Sequence, residues 1–207
     1  MLVASLCGIV VFVALVVVDW LYFSSLTVPL NRYGCGIARL LDRFPSAPST
    51  LDLRSFGAHG VLQLAHGVAR LSPDERYIVL RPQYRLFSIR VRTMWPMKAT
   101  IQLKPAECGT WVEGVKRIPW SSAILTLAWL ITVAVGTIAF VIAFVINEGF
   151  SSFGGVLLGV GVTVLGLIVL AFGLVMIALA YRLENQRLTQ TYEELRQRLA
   201  PTSSPSS

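Results

Sequence analysis

Two stretches of this chain, 121–146 and 152–180, contain no Asp, Glu, Lys, Arg or His. Ionisable groups inside a membrane build ion paths, proton relays and transport sites, so neither stretch can supply one. Histidine is almost missing elsewhere, since His59 and His66 are the only two. There is no phosphate-cradling Gly loop, no nucleophile elbow and no His-Glu-x-x-His helix. Asp74 and Glu75 lie in a turn-forming Ser-Pro-Asp-Glu, a poor setting for paired acid–base work. Cys7, Cys35 and Cys108 share no motif spacing, and nothing nearby completes a zinc or redox set. Ordinary free thiols are expected, and no catalytic residue, cofactor or metal site. The chain is not read as an enzyme.

What is present is apolar sequence in membrane-length runs. Hydrophobic residues make up 55% of the 207 residues, and the mean hydropathy is +0.66. Crossing a hydrocarbon core of about 30 Å takes about 20 apolar residues. Three segments, 2–24, 121–146 and 152–180, exceed that length, so three transmembrane helices are expected. The first is read as a retained span rather than a cleaved signal. No basic residue precedes it, and it ends in Asp19-Trp20-Leu21-Tyr22-Phe23, an aromatic belt suited to a headgroup boundary. Asp19 is read as an interfacial residue there; a functional carboxylate is the alternative.

Charge implies an orientation. Segment 31–118 holds 14 of the 18 Lys and Arg, against 6 Asp and Glu. Near the span ends stand Arg32, Arg39, Arg43, Lys116, Arg117, Arg182 and Arg187, whereas the link between spans two and three carries only Glu148. The positive-inside rule then places the N-terminus outside, with the middle domain and C-terminus cytoplasmic, in a bacterial inner membrane.

Residues 25–57 read as a linker punctuated by Pro29, Pro45 and Pro48, with 37–41 too short to commit to a helix. A small basic β-rich domain is expected over 58–118. It opens on a repeat, Ala-His-Gly-Val-x-x-Leu at 58–64 and again at 65–71. A seven-residue spacing on a helix would set both histidines on one face for haem or metal, but the glycines weaken a helix and no third ligand accompanies them. The other reading is a turn-punctuated pair of short elements. Four strands of an antiparallel meander follow: 76–81 after a hairpin turn at 72–75, then 84–92, 97–104 and 110–118. In the third, Met97, Ala99, Ile101 and Leu103 point inward; Lys98, Thr100, Gln102 and Lys104 point outward. A cytoplasmic amphipathic helix is expected over 181–200, and a disordered tail over 201–207.

Contact surfaces therefore carry the functional reading. Arg81, Arg85, Arg90, Arg92, Lys98, Lys104, Lys116 and Arg117 make the domain basic, and Arg85, Arg90, Arg92, Lys98, Lys116 and Arg117 are the expected contacts to anionic phospholipid headgroups or an acidic partner. A nucleic acid is not expected. Ser152, Gly159, Gly166 and Gly173 recur every seven residues, and Gly155 with Gly159 forms Gly-x-x-x-Gly, a helix-packing seam. Gly136, Ala139 and Ala143 can meet it within the hairpin. On the tail, Leu188, Tyr192, Leu195 and Leu199 continue a coiled-coil-like stripe, for a partner helix or for the protein's own β domain. The expected role is a non-catalytic accessory or scaffolding subunit of a larger membrane complex. The alternative is a membrane-anchored sensor or lipid-binding module.

Overall fold

The computed structural model describes residues 2–25, 32–44, 53–57, 59–72, 77–82, 95–106, 109–147 and 149–199. Among the described residues there are three α-helices: α1 (Leu2–Ser24), α2 (Trp120–Ile146) and α3 (Phe153–Leu199). All three are long and apolar enough to cross a membrane. At 1.5 Å per residue the 47-residue α3 is about 70 Å long, over twice a hydrocarbon core. Span three and the expected tail helix are thus one helix.

Between α1 and α2 the chain forms β1 (Cys35–Phe44), β2 (Val61–Gln63), β3 (Gly67–Leu71), β4 (Tyr77–Pro82), β5 (Lys98–Ala106) and β6 (Gly109–Ile118). A short 3-10 helix, Leu53–Phe56, lies between β1 and β2. The six strands make one antiparallel sheet in the order β1-β6-β5-β4-β3-β2. Strands β2 to β6 are a meander, but not in the order expected: β4 pairs directly with β5 from Tyr77↔Gln102 to Leu80↔Ala99, so no strand over 84–92 separates them. β3 and β4 pair antiparallel, and the Ser72 amide donates to the Tyr77 carbonyl at 2.8 Å, so the two strands are hairpin neighbours as expected; residues 73–76 lie outside the described residues. The strand expected over 84–92 lies outside the described residues.

β1 corrects the sequence reading. Its ten residues fall inside the segment 25–57 expected to be linker. Ile37, Leu40, Leu41 and Phe44 follow a helical spacing, which hides the strand. The strand becomes favourable only beside β6, with which it pairs from Cys35↔Ile118 to Phe44↔Thr110. That register brings the chain leaving α1 to the strand entering α2. The turn at Gly34 is tight: φ is +112°, and a Cβ there would strike the Phe23 ring and the Ile118 carbonyl.

The protein divides into two compact units, Met1–Ser121 with Leu183–Ser207, and Ser122–Arg182. In the first, the C-terminal part of α3 covers one sheet face. Ala69, Ile78, Leu80, Ala99, Ile101 and Val112 are buried on that face, and Leu188, Tyr192, Leu195 and Leu199 are buried from the helix. Each buried leucine contributes roughly 1.5–3 kcal/mol. Polar groups hold the register of the helix. Tyr192 donates its hydroxyl to Asp42 at 2.7 Å, and Lys116 Nζ donates to Asn185 Oδ1 at 2.5 Å. Burial, then the bond to Asp42, raises the Tyr192 pKa. At Gly67 a Cβ would overlap Thr191 and the Arg81 carbonyl, so the strand approaches the helix only through glycine.

The second unit is a helical hairpin. Ser152 caps α3: its hydroxyl accepts from the Gly155 amide at 3.1 Å. Gly159 faces Phe144 and Phe150, Gly166 faces Thr137, and Gly173 faces Trp129. The small residues of α3 therefore receive large side chains. Gly136, expected to meet them, has open space where a Cβ would stand.

Candidate functional site

The sheet face opposite the tail helix carries the cations. At the end nearest α1, three sit side by side on adjacent strands. Lys98 of β5 pairs with Arg117 of β6. Arg81 of β4 follows Leu80, the partner of Ala99, and so lies beside Lys98. Like charges directly across a ladder repel. The C-terminus of α1 meets this row, and its terminal carbonyls carry the negative end of the helix dipole. Lys98 Nζ lies 3.5 Å from the Phe23 carbonyl oxygen and 4.6 Å from the centroid of the Phe23 ring. Arg81 donates to the Ser24 carbonyl, and Arg117 Nη1 donates to the Gly34 carbonyl at 3.0 Å. Arg32 joins them, donating to the Tyr77 hydroxyl at 2.6 Å and stacking over that ring at 4.9 Å. Burial, reinforced by Arg117 and Arg81, pushes the Lys98 pKa down to about 8.

Asp19 lies near the C-terminal end of α1. Its Oδ2 accepts from the Ser121 amide at 3.0 Å and hydroxyl at 2.5 Å, and Oδ1 accepts from the Tyr33 hydroxyl. It thus caps the first turn of α2 from α1. The bond to this carboxylate pushes the Tyr33 pKa up to about 12.

A second cluster lies at the far end of the face. Arg39, Leu41 and Arg43 alternate along β1 beside Trp111 of β6, and Lys104 of β5 bonds Glu113 at 2.5 Å. Leu41 is 68% exposed and Trp111 49%. The Arg43 guanidinium lies 5.6 Å from the Trp111 ring centroid. Arg43, Pro105, Ala106 and Trp111 line an open cleft of about 460 Å³. Trp111 is seven residues from Ile118, roughly 23 Å of strand away from the α1 end.

The expected contact residues land differently from their pattern. Lys98 does alternate against Ala99 and Ile101, but it is 0% exposed instead of open. Lys116 lies on the opposite face, bonded to the tail, and its burial lowers its pKa. Arg117 is half-buried against Gly34. Arg85, Arg90 and Arg92 lie outside the described residues. The stripe Leu188, Tyr192, Leu195 and Leu199 is consumed by the protein's own sheet, and Ser152 serves as a cap. Leu41 and Trp111 were missed, as was the placement of Arg39 and Arg43 beside them. Recognising β1 as a strand was the needed signal, because Arg39, Leu41 and Arg43 then share a face.

The two histidines part company. His59 is exposed in the turn before β2, while His66 turns the β2–β3 hairpin and bonds Glu194 on the tail through both its ring and its amide. Among the described residues no three His, Cys, Asp or Glu gather as metal ligands. No family model matches this chain, nor does any curated protein or solved structure.

Proposed function

We propose that this protein is a non-catalytic accessory subunit of a larger complex in a bacterial inner membrane. Its N-terminus faces outside, and its sheet and tail lie in the cytoplasm, the orientation that the basic span flanks favour. The observation that carries the reading is the exposed far cluster on the sheet face opposite the tail. Leu41 and Trp111 stand exposed among Arg39, Arg43 and Lys104, with Glu113 the acid beside them. Tryptophan and arginine together are the residues that anchor protein interfaces. The charge balance suits an acidic surface on a neighbouring subunit. The covered stripe on the tail removes one surface from consideration, and the far cluster takes its place.

Native mass spectrometry after mild detergent extraction tests this. A hetero-assembly that Trp111→Ala and Arg43→Ala each weaken supports it; a stable lone monomer overturns it. The second reading, an anionic-lipid-binding module, draws on the cation row at the end of α1.

A further inference from the structure

We infer that the outer edge of β1 is a docking strand for an extended acidic segment of another protein, in which an acid, an apolar residue and a second acid occupy alternate positions. This deepens the subunit reading and rests on it, because it names how a neighbour would grip the far cluster. The sheet order leaves two edges, β1 and β2. They differ as templates. β2 has three residues, Val61–Gln63, while β1 has ten, Cys35–Phe44. Among the described residues β1 pairs only with β6, so alternate residues of β1 turn their N–H and C=O groups away from the sheet. Edges are commonly blunted by short length, proline, a bulge or a charge. β1 contains no proline, and its register shift lies between Gly36 and Ala38, near the Cys35 end. From Ala38 to Phe44 the register runs unbroken, about 24 Å of strand.

Side chains on that stretch define the occupant. Arg39, Leu41 and Arg43 share a face, and all three are exposed. Keeping other edges away explains two arginines, but not an exposed leucine set between them. A strand added outside β1 would place three alternate residues opposite this trio. Acids opposite Arg39 and Arg43, with an aliphatic residue opposite Leu41, complement all three. Arg43 lies over the Trp111 ring, which holds its guanidinium beside the edge. Glu113 does not already serve this purpose: Lys104 bonds it directly and does most to lower its pKa, with Arg39 the weakest influence. A second copy of this chain fits poorly. In an antiparallel pair of β1 strands centred on Leu41, Arg39 of one meets Arg43 of the other, like charge on like. Nowhere in the 207 residues do two acids stand four positions apart, so the chain does not carry the complementary pattern itself.

The test uses the full-length protein in neutral detergent and a labelled heptapeptide, Thr-Glu-Thr-Val-Thr-Glu-Thr, followed by fluorescence anisotropy up to about 1 mM. A twin with lysine in place of glutamate controls for charge. Two further peptides carry N-methyl groups on the odd or on the even amides, and only one set can face β1 in a ladder. Saturable binding of the acidic peptide is expected, with none of the lysine twin, and one methylation pattern should abolish it while the other spares it. Hydrogen exchange should slow in β1 and stay unchanged in β2. Arg39→Gln and Arg43→Gln should each weaken binding about threefold, and Arg182→Gln on α3 should leave it unchanged; thermal unfolding checks that each variant is folded. Binding that both methylation patterns spare, or that leaves β1 exchange unchanged, means that side chains alone dock, and it overturns the edge while the subunit reading stands. No binding, or equal binding of the lysine twin, overturns the edge as well. A dimer of the protein alone with slowed β1 exchange makes a second copy the occupant and overturns the acidic segment. The subunit reading itself falls on a separate result, a stable lone monomer after mild extraction.

Discussion

The two faces of the six-stranded sheet come from the same strands read at opposite parity, yet they are stabilised by different physics. One face presents Ala69, Ile78, Leu80, Ala99, Ile101 and Val112 and is closed by the tail of α3. The other presents Arg81, Lys98 and Arg117 near α1, and Arg39, Leu41, Arg43, Lys104 and Trp111 farther away. Burial of apolar area dominates the first. On the second, Val68 and Val79 are buried too, but carbonyl dipoles and aromatic rings meet the cations beside them. Alternation assigns a side chain to a face. Whether that face is wet depends on what lies over it, and Lys98 is the clearest case: right parity for solvent, no exposure.

The comparison breaks hardest at Leu195. Leu195→Ala should cost about 2–5 kcal/mol by opening a cavity under the tail, whereas Leu41→Ala on the other face should change stability by less than about 0.5 kcal/mol. Chemical denaturation in detergent compares the two directly.

Next in size is the pH response of Lys98. Its folded pKa is near 8, below the ordinary 10.5, so above pH 8 the unfolded chain holds more protons than the folded one. Stability should therefore rise from pH 8 towards 10, by up to about 3 kcal/mol. Tyr33 acts the other way only above pH 10, because its folded pKa is raised. Unfolding followed across pH 8–10 should show the rise in the wild type and its loss in Lys98→Met.

Gly67→Ala pushes a methyl into Thr191 and the Arg81 carbonyl and should cost about 1–3 kcal/mol. Faster hydrogen exchange confined to the tail helix and the β2–β3 hairpin would locate the damage. Tyr192→Phe removes one bond to Asp42 and should cost about 1 kcal/mol. At the bottom of the scale, Lys104→Gln breaks an exposed ion pair and should fall within about 0.5 kcal/mol of wild type. An effect as large as that of Tyr192→Phe would show that the far cluster is more ordered than its exposure implies.

Much of the architecture was legible. Three apolar runs of membrane length, the turn chemistry at 72–75 and 106–109, and the alternation in 97–104 lead to three spans and to strands β4, β5 and β6. All of these signals are local. β1 was not legible because its apolar residues fit a helical period, and its Asp42 has the wrong polarity for a covered face. Asp42 is tolerated there because Tyr192, 150 residues away, donates to it. The candidate site was legible only as a basic composition. Lys116 and Lys98 carry the same charge and sit in neighbouring strands, but one bonds the tail and the other lies under Phe23. Nothing within either strand distinguishes them.

Local chemistry thus decided which segments are apolar enough to leave water, where the chain turns, and which residues alternate. Hydrophobic transfer and backbone geometry act over a few residues, so they can be read along the chain. Tertiary structure alone decided that β1 joins the last strand, that the tail covers one face, and that a row of cations meets the end of α1. Those outcomes depend on pairings between residues tens to more than a hundred positions apart. Their energy exists only once the partners are in place.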